Sequence, residues 1–491
     1  MKLETVIEHI SADASALDPA LLQREVGSFA IDSREIQSGD VFFALSEPEY
    51  SDNGFNGDFV DSTPYALSAF AAGAAACVVR PDRFREHIAA LAEFENRLLF
   101  VADSIVALQQ LAHGVYREWN KPVVAITGSA GKTTAKELTA HVLASTGRKV
   151  LKNIKNYNNG LGHPLTVLKL AGDKSFDTAV LEMGMSTPMN EIRRLCCITP
   201  PDVAVVLNVL PVHLEHLGSI ENIALAKQEL IEGMREGGTA VLNADDPNVA
   251  AMAGISKGRT ITFGIENDAD IMASELRLDR LAESRFALSA GGQRVDVSFP
   301  LSGRHNILNA LSAAAVGYSF GIPLGDIAVS LRTVRSPPQR GEVLTFADGF
   351  IVINDSYNSN PNALIGMVKT LVDGGAWAKR KIVVAGEMLE LGTNAALDHY
   401  AVGREMPMHG VDVLIGVRGL AKEMVRGARE SGLADARLCE NSDEAGELLA
   451  GEVRGGDLIL VKGSRGVKTE KVIEKLFEKF ELEEREEERP V

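Results

Sequence analysis

The residues best suited to chemistry lie in one short run, VVAITGSAGKTT, spanning positions 123–134. Gly128 and Gly131 let the backbone turn tightly and aim N–H groups at phosphate oxygens. A helix starting near Lys132 would add the positive end of its dipole. Lys132 has the length to reach outer phosphates, and the Thr133 hydroxyl suits Mg²⁺, with Thr134 beside it. The usual pattern is G-x-x-x-x-G-K-[ST]. Its first glycine position is Ile126 here, so the loop reads G-x-x-G-K-T-T. A plain glycine turn is the bland alternative. Even a true nucleotide loop does not name a reaction, because switches, transporters, kinases and ligases share it.

Three further residues could join that loop. Glu182 ends the apolar run VLE, and the carboxyl ends of parallel strands are where ligands sit in open α/β sheets. Its carboxylate is a candidate Mg²⁺ ligand, or merely an edge residue. His213 follows the run VAVVLNV, with His216 three residues on. That pair could hold zinc, but no further His or Cys ligand lies near in sequence, and a structural histidine is the stronger of the two alternatives. Lys227 lies in the helical stretch IALAKQELIEG. Its neighbours Ala224, Leu225 and Ala226 are small or apolar, which leaves two readings open: a surface lysine, favoured from the sequence alone, or a partly buried one with a depressed pKa that is open to modification.

The chain has 491 residues, 45% hydrophobic and 24% charged, an ordinary globular balance long enough for about three domains. The net charge of −17 argues against a nucleic-acid binder, which needs a basic surface. Part of that excess is the acidic stretch 481–489, read as a solvated tail. Cys77, Cys196, Cys197 and Cys439 form no C-x-x-C pair and are expected to be buried free thiols. No signal-like N-terminus or run of about 18 apolar residues is present, so a cytoplasmic protein is expected.

Apolar runs alternate with helical patterns, which predicts α/β architecture with mostly parallel sheets. Strands are expected at 41–45, 76–79 and 98–101, followed by a helix over 104–119. Residues 46–58 read as a loop. The second block should hold strands at 123–127, 179–182, 203–209, 240–242 and 260–263. Three alternating, antiparallel-looking strands follow at 271–278, 286–289 and 295–299, then a helix over 306–318. The linker SPPQRG at 336–341 leads to strands at 350–354, 382–385, 413–416 and 458–461, closed by an amphipathic helix carrying Val472, Ile473, Leu476, Phe477 and Phe480.

The motifs GSAGKTT, NYNNGLGHPLTVL, VLEMG, LPVHLEHLGSIENIALAKQEL, LNADDP, GRHNILNALSAA and DSYNSNPNAL occur in the order seen in the Mur ligases of peptidoglycan synthesis, and the chain resembles that family along almost its whole length. IDSREIQSGDVFFAL, NDSYNSNP, VVAGEMLELG with His399, and VKGSRGVKTEKV are most similar to the member joining D-alanyl-D-alanine to UDP-N-acetylmuramoyl-tripeptide. A folylpolyglutamate-type ligase would leave the DSR block unexplained.

The resemblance implies three domains: a small N-terminal α/β domain (1–103) for the UDP-substrate, a central P-loop ATPase-type domain with a mostly parallel sheet (104–334), and a C-terminal Rossmann-like domain (335–491) for the amine. It implies ATP, Mg²⁺ and a carbamylated Lys227, acyl-phosphate chemistry, and a monomer that neither enters membranes nor binds nucleic acid. By position, Gly128, Gly131, Lys132, Thr133, Thr134, Asn306, Asn309, Arg340 and Asp355 would bind ATP. Thr133, Glu182, His213 and Lys227 would hold metal, with Lys132, His213 and Lys227 catalytic. Ser33, Arg34, Asn158 and Asn159 would contact the UDP-substrate, and Asn358 and Asn360 the amine. Asn190, Asn354 and Glu387 depart mildly from the family pattern, and residues 46–58 depart more.

Overall fold

The computed structural model describes residues 1–55, 59–154, 157–185, 190–211, 217–281, 283–335 and 338–483. Within them the strands form three separate sheets. The first holds β1 (Phe29–Ala30), β2 (Val41–Phe43), β3 (Ala76–Val79) and β4 (Leu98–Phe100), all parallel and in chain order. Every residue of β2 and β3 is buried, which is why these runs are continuously apolar rather than alternating.

The second sheet has nine strands: β5 (Val123–Thr127), β6 (Val150–Lys152), β7 (Thr178–Glu182), β8 (Val203–Val206), β9 (Thr239–Asn243), β10 (Arg259–Gly264), β11 (Ile271–Arg280), β12 (Glu283–Ala290) and β13 (Gln293–Phe299). Their spatial order is β13-β12-β11-β10-β9-β8-β5-β7-β6. The alternating runs do pair antiparallel, β11 with β12 and β12 with β13, while β10 still meets β11 in parallel. From β5 the chain first fills one side with β6 and β7, then crosses to β8 on the other. That reversal opens a crevice at the carboxyl end of β5, where the glycine loop lies.

The third sheet comprises β14 (Glu342–Thr345), β15 (Ile351–Asp355), β16 (Arg380–Gly386), β17 (Val413–Val417), β18 (Ala436–Cys439) and β19 (Asp457–Lys462), in the order β14-β15-β19-β16-β17-β18. Only β14 is antiparallel. The helix Glu470–Phe477 closes it and buries Val472, Ile473 and Leu476.

Several expectations are corrected. Residues 46–58 are not all loop: Glu47–Asp52 is helical, started by a capping box between Ser46 and Glu49. Glu49 is buried and also accepts from the Ser104 amide, which ties this segment to the helix Ser104–Trp119. Strands β1, β6, β14 and β18 have no counterpart in the sequence reading, since two to four residues show no usable period. Cys77, Cys196 and Cys439 are buried, but Cys197 is exposed. Of the linker and tail, residues 336–337 and 484–491 lie outside the described residues.

Candidate active site

The glycine loop at 128–131 is held in shape by its own contacts. Gly131 has φ +83°, a left-handed conformation that favours glycine, and a Cβ there would lie 2.4 Å from Asn309 Oδ1. Asn208, at the end of β8, accepts from the Ala130 amide at 2.9 Å and donates back to the Ala130 carbonyl at 3.1 Å. The helix Lys132–Ala144 then starts at Lys132 as expected, with its N-terminus at the loop.

Side chains converge from neighbouring strand ends. Thr133 Oγ1 donates to Glu182 Oε2 at 2.8 Å, and Asn158 Nδ2 donates to Glu182 Oε1 at 2.7 Å. The backbone of Glu182 is fixed by Asn153, which accepts from its N–H at 3.0 Å and donates to its C=O at 2.9 Å. Lys132 Nζ donates to the Gly128 carbonyl at 2.7 Å. Burial pushes its pKa down; Glu182 opposes this, and the nearby Arg340 guanidinium adds to it.

Of the two readings of Lys227, surface or partly buried, the structure supports the buried one. It lies on the helix Ile220–Glu232 and is 2% exposed. Burial drives its pKa far below the ordinary lysine value, and the positive charge of Lys132 drives it further. Both effects shift the balance from the ammonium towards the neutral amine. His213 and His216 lie outside the described residues.

The second wall comes from the third sheet. A cavity of about 710 Å³ is lined by Gly131, Lys132, Thr133, Thr134, Asn158, Glu182, Asn306 and Asn309 on one side. Arg340, Asp355, Tyr357, Asn358, Asn360 and Lys462 line the other. Both sheets thus present the carboxyl ends of their parallel strands to one space. Asn306 donates to the Ser302 carbonyl at 2.8 Å, at the start of the helix Arg304–Ser319. The Arg340 guanidinium lies over the Tyr357 ring, 3.9 Å from its centre. Asp355 Oδ2 accepts from Lys462 Nζ at 2.5 Å. Asn360 caps the helix Pro361–Asp373 by accepting from the Ala363 amide at 2.8 Å, and Asn358 Oδ1 accepts from the Ser359 amide at 2.9 Å.

The remaining expected residues sit apart from this cavity. Ser33 and Arg34 lie in a short 3-10 turn after β1. Arg34 grips Asp32 with two donors, at 2.9 and 2.6 Å, holding that carboxyl at about 2. Asn159 accepts from the Leu161 and Gly162 amides and so shapes its own loop. Burial and the Glu35 and Asp32 carboxylates push the Tyr157 hydroxyl up.

Sequence reasoning missed Asn153, Asn208, Tyr357 and Lys462. The lysine had a visible signal: it ends the apolar run LILVK, where a charge on a buried strand needs a partner.

Comparison with known proteins places this architecture. A family model for the Mur ligase middle domain matches residues 126–317, and one for the Mur ligase, glutamate ligase domain matches residues 339–465. The UDP-N-acetylmuramoyl-tripeptide--D-alanyl-D-alanine ligase of Mycobacterium bovis is 36% identical, with 92% of each chain covered. The chain belongs to the Mur ligase family. Among solved structures, MurF from Acinetobacter baumannii matches with a TM-score of 0.84 at 27% identity, covering 97% of this chain and 99% of that one. MurF ligase from Thermotoga maritima, solved in complex with ADP, matches at 0.77 and 27% identity, covering 92% and 97%. Among the described residues no helix is long and apolar enough to cross a membrane.

Proposed function

We propose that this protein joins D-alanyl-D-alanine to UDP-N-acetylmuramoyl-tripeptide, consuming ATP and releasing ADP and phosphate, in the cytoplasmic stage of peptidoglycan synthesis. The observation that carries this reading is the shared cavity, with a phosphate loop on one wall and the Asp355–Asn360 segment on the other.

A carboxylate does not condense with an amine at neutral pH, because oxide is too poor a leaving group. Attack of the peptide carboxylate on the terminal phosphoryl group of ATP expels ADP and gives an acyl phosphate. The amine of D-alanyl-D-alanine then adds to the acyl carbon, and phosphate departs. Little covalent work is left for the protein, so positioning and electrostatics dominate. Lys132, Arg340 and the loop amides would neutralise the phosphoryl group. Asn306 and Asn309 would flank the base and Asp355 the ribose. Asn158, Asn159, Ser33 and Arg34 would hold the UDP-substrate, and Asn358 and Asn360 the incoming amine.

The donors present suit Mg²⁺. Thr133 and Glu182 offer hydroxyl and carboxylate oxygens, the kind a hard cation takes, and His213 would join them. Bound there, Mg²⁺ would supply positive charge to the phosphates. An ammonium at Lys227 would oppose a cation, whereas its neutral amine can add to carbon dioxide. That step forms an N–C bond, releases one proton and turns the side chain into an oxygen donor.

The test is product analysis. Purified protein with ATP, UDP-N-acetylmuramoyl-tripeptide and D-alanyl-D-alanine should yield the pentapeptide nucleotide by mass spectrometry, with one phosphate per amide. Single amino acids in place of the dipeptide should give little product. Amide formation with a single amino acid in preference to D-alanyl-D-alanine would redirect the assignment within the family, and phosphate release without any amide would overturn it.

A further inference from the structure

Lys462 is a buried charge that the mechanism above does not use. It is 4% exposed, stands at the carboxyl end of β19, and lines the cavity. In the parallel register of β15 and β19 its partner is Asp355. Its ammonium donates in two directions, to Asp355 Oδ2 at 2.5 Å and to the Asn358 backbone carbonyl at 2.8 Å. These acceptors belong to the two halves of the wall. Asp355 is the carboxylate placed on the ribose, and Asn358 opens the segment placed on the amine substrate.

A second contact reinforces the clamp. Ser464, two residues beyond Lys462, donates to the Ser359 carbonyl at 3.4 Å and accepts from the Leu389 amide at 2.9 Å. The turn after β19 therefore also touches the segment after β15. A cation in a poorly solvated place is retained only where its partners compensate the lost hydration. Here both acceptors are satisfied by one buried ammonium, so moving either one disturbs the other.

We propose that Lys462 is a positioning residue that sets Asp355 and the 358–360 segment together, making the ATP and D-alanyl-D-alanine sites interdependent. The inference rests on the function proposed above. It requires that loss of the lysine weaken both of those substrates and spare the third, whose contacts lie on the other wall and in the first block.

The experiment measures KM for all three substrates in Lys462→Met and Asp355→Asn, with melting temperatures to confirm folding. Each charge-assisted bond lost is worth roughly tenfold or more in binding. Lys462→Met should raise KM for ATP and for D-alanyl-D-alanine about tenfold each, leaving that for UDP-N-acetylmuramoyl-tripeptide within about twofold. Asp355→Asn, similar in shape and still able to accept from Lys462, should raise KM for the dipeptide as well as for ATP, although Asp355 is assigned to the ribose and not to the dipeptide. A rise confined to ATP in both variants, an equal rise for all three substrates, or no change would overturn the proposal. If Lys462→Met does not fold, Asp355→Asn decides alone. If the wild-type protein makes no amide with D-alanyl-D-alanine, the functional reading fails instead; ADP titration calorimetry on Lys462→Met then tests the nucleotide half, and unchanged affinity overturns it.

Discussion

The two walls of the cavity are built by different means. On the central wall, the groups proposed to face phosphate come from one contiguous run, 128–134, and are shaped by backbone geometry: a left-handed Gly131, the Asn208 clasp on Ala130 and a helix N-terminus. On the opposite wall, the groups come from positions over a hundred apart, Asp355 and Lys462, and are held by an ion pair between side chains. Backbone-built sites tolerate many substitutions nearby, provided the glycine and the lysine remain. Sites built from paired charges fail when either partner is removed, because the survivor is left desolvated.

The comparison is broken most severely at the central wall. Lys132→Ala should lower kcat by about 100- to 1,000-fold, since it removes a fixed charge from the phosphoryl group, as a kcat measurement with intact folding would show. Lys227→Ala should lose activity on a similar scale. If the side chain acts as a carbamate, short carboxylates such as acetate should restore part of the rate. Unchanged activity in the variant would remove Lys227 from the mechanism.

Smaller effects are expected where a side chain only steers another. Tyr357→Leu takes away the ring beneath Arg340 and should cost about five- to tenfold in kcat/KM for ATP, while Tyr357→Phe keeps the face and should cost little. A loss of equal size in both variants would point to the hydroxyl instead.

The smallest effect concerns stability alone. His163 is fully buried, accepts from or donates to Thr199 Oγ1 at 2.7 Å, and is pushed down to about 3 by burial. Its folded pKa lies below the unfolded value of about 6.5, so protons favour the unfolded chain. Stability from this group is complete above about pH 6.5 and is lost as pH falls towards 3. The melting temperature of His163→Gln should therefore fall less steeply than that of the wild type between those values. Parallel curves would discount the group.

The same contrast explains what could be read in the sequence. The central wall was legible because its chemistry is local: strand, glycine turn, lysine and helix start occupy a dozen consecutive residues. Glu182 followed from its place at a strand end. Arg340 and Asp355 became visible only through family resemblance. Lys462 was not assigned a role, because its partner is fixed by strand register, which no local pattern encodes. Lys227 stayed ambiguous for the opposite reason: small and apolar neighbours leave both a surface and a buried position open, and only tertiary packing buries it. The helix at Glu47–Asp52 was hidden by Pro48 and the surrounding polar residues, although Ser46 and Glu49 carried its start signal.

The central claim is that both walls act on one carboxylate, activated as an acyl phosphate. Its most direct test uses UDP-N-acetylmuramoyl-tripeptide labelled with oxygen-18 in the reacting carboxylate. Turnover with ATP and D-alanyl-D-alanine should transfer one labelled oxygen to each phosphate released, detected by mass spectrometry. Unlabelled phosphate released alongside amide product would contradict the account.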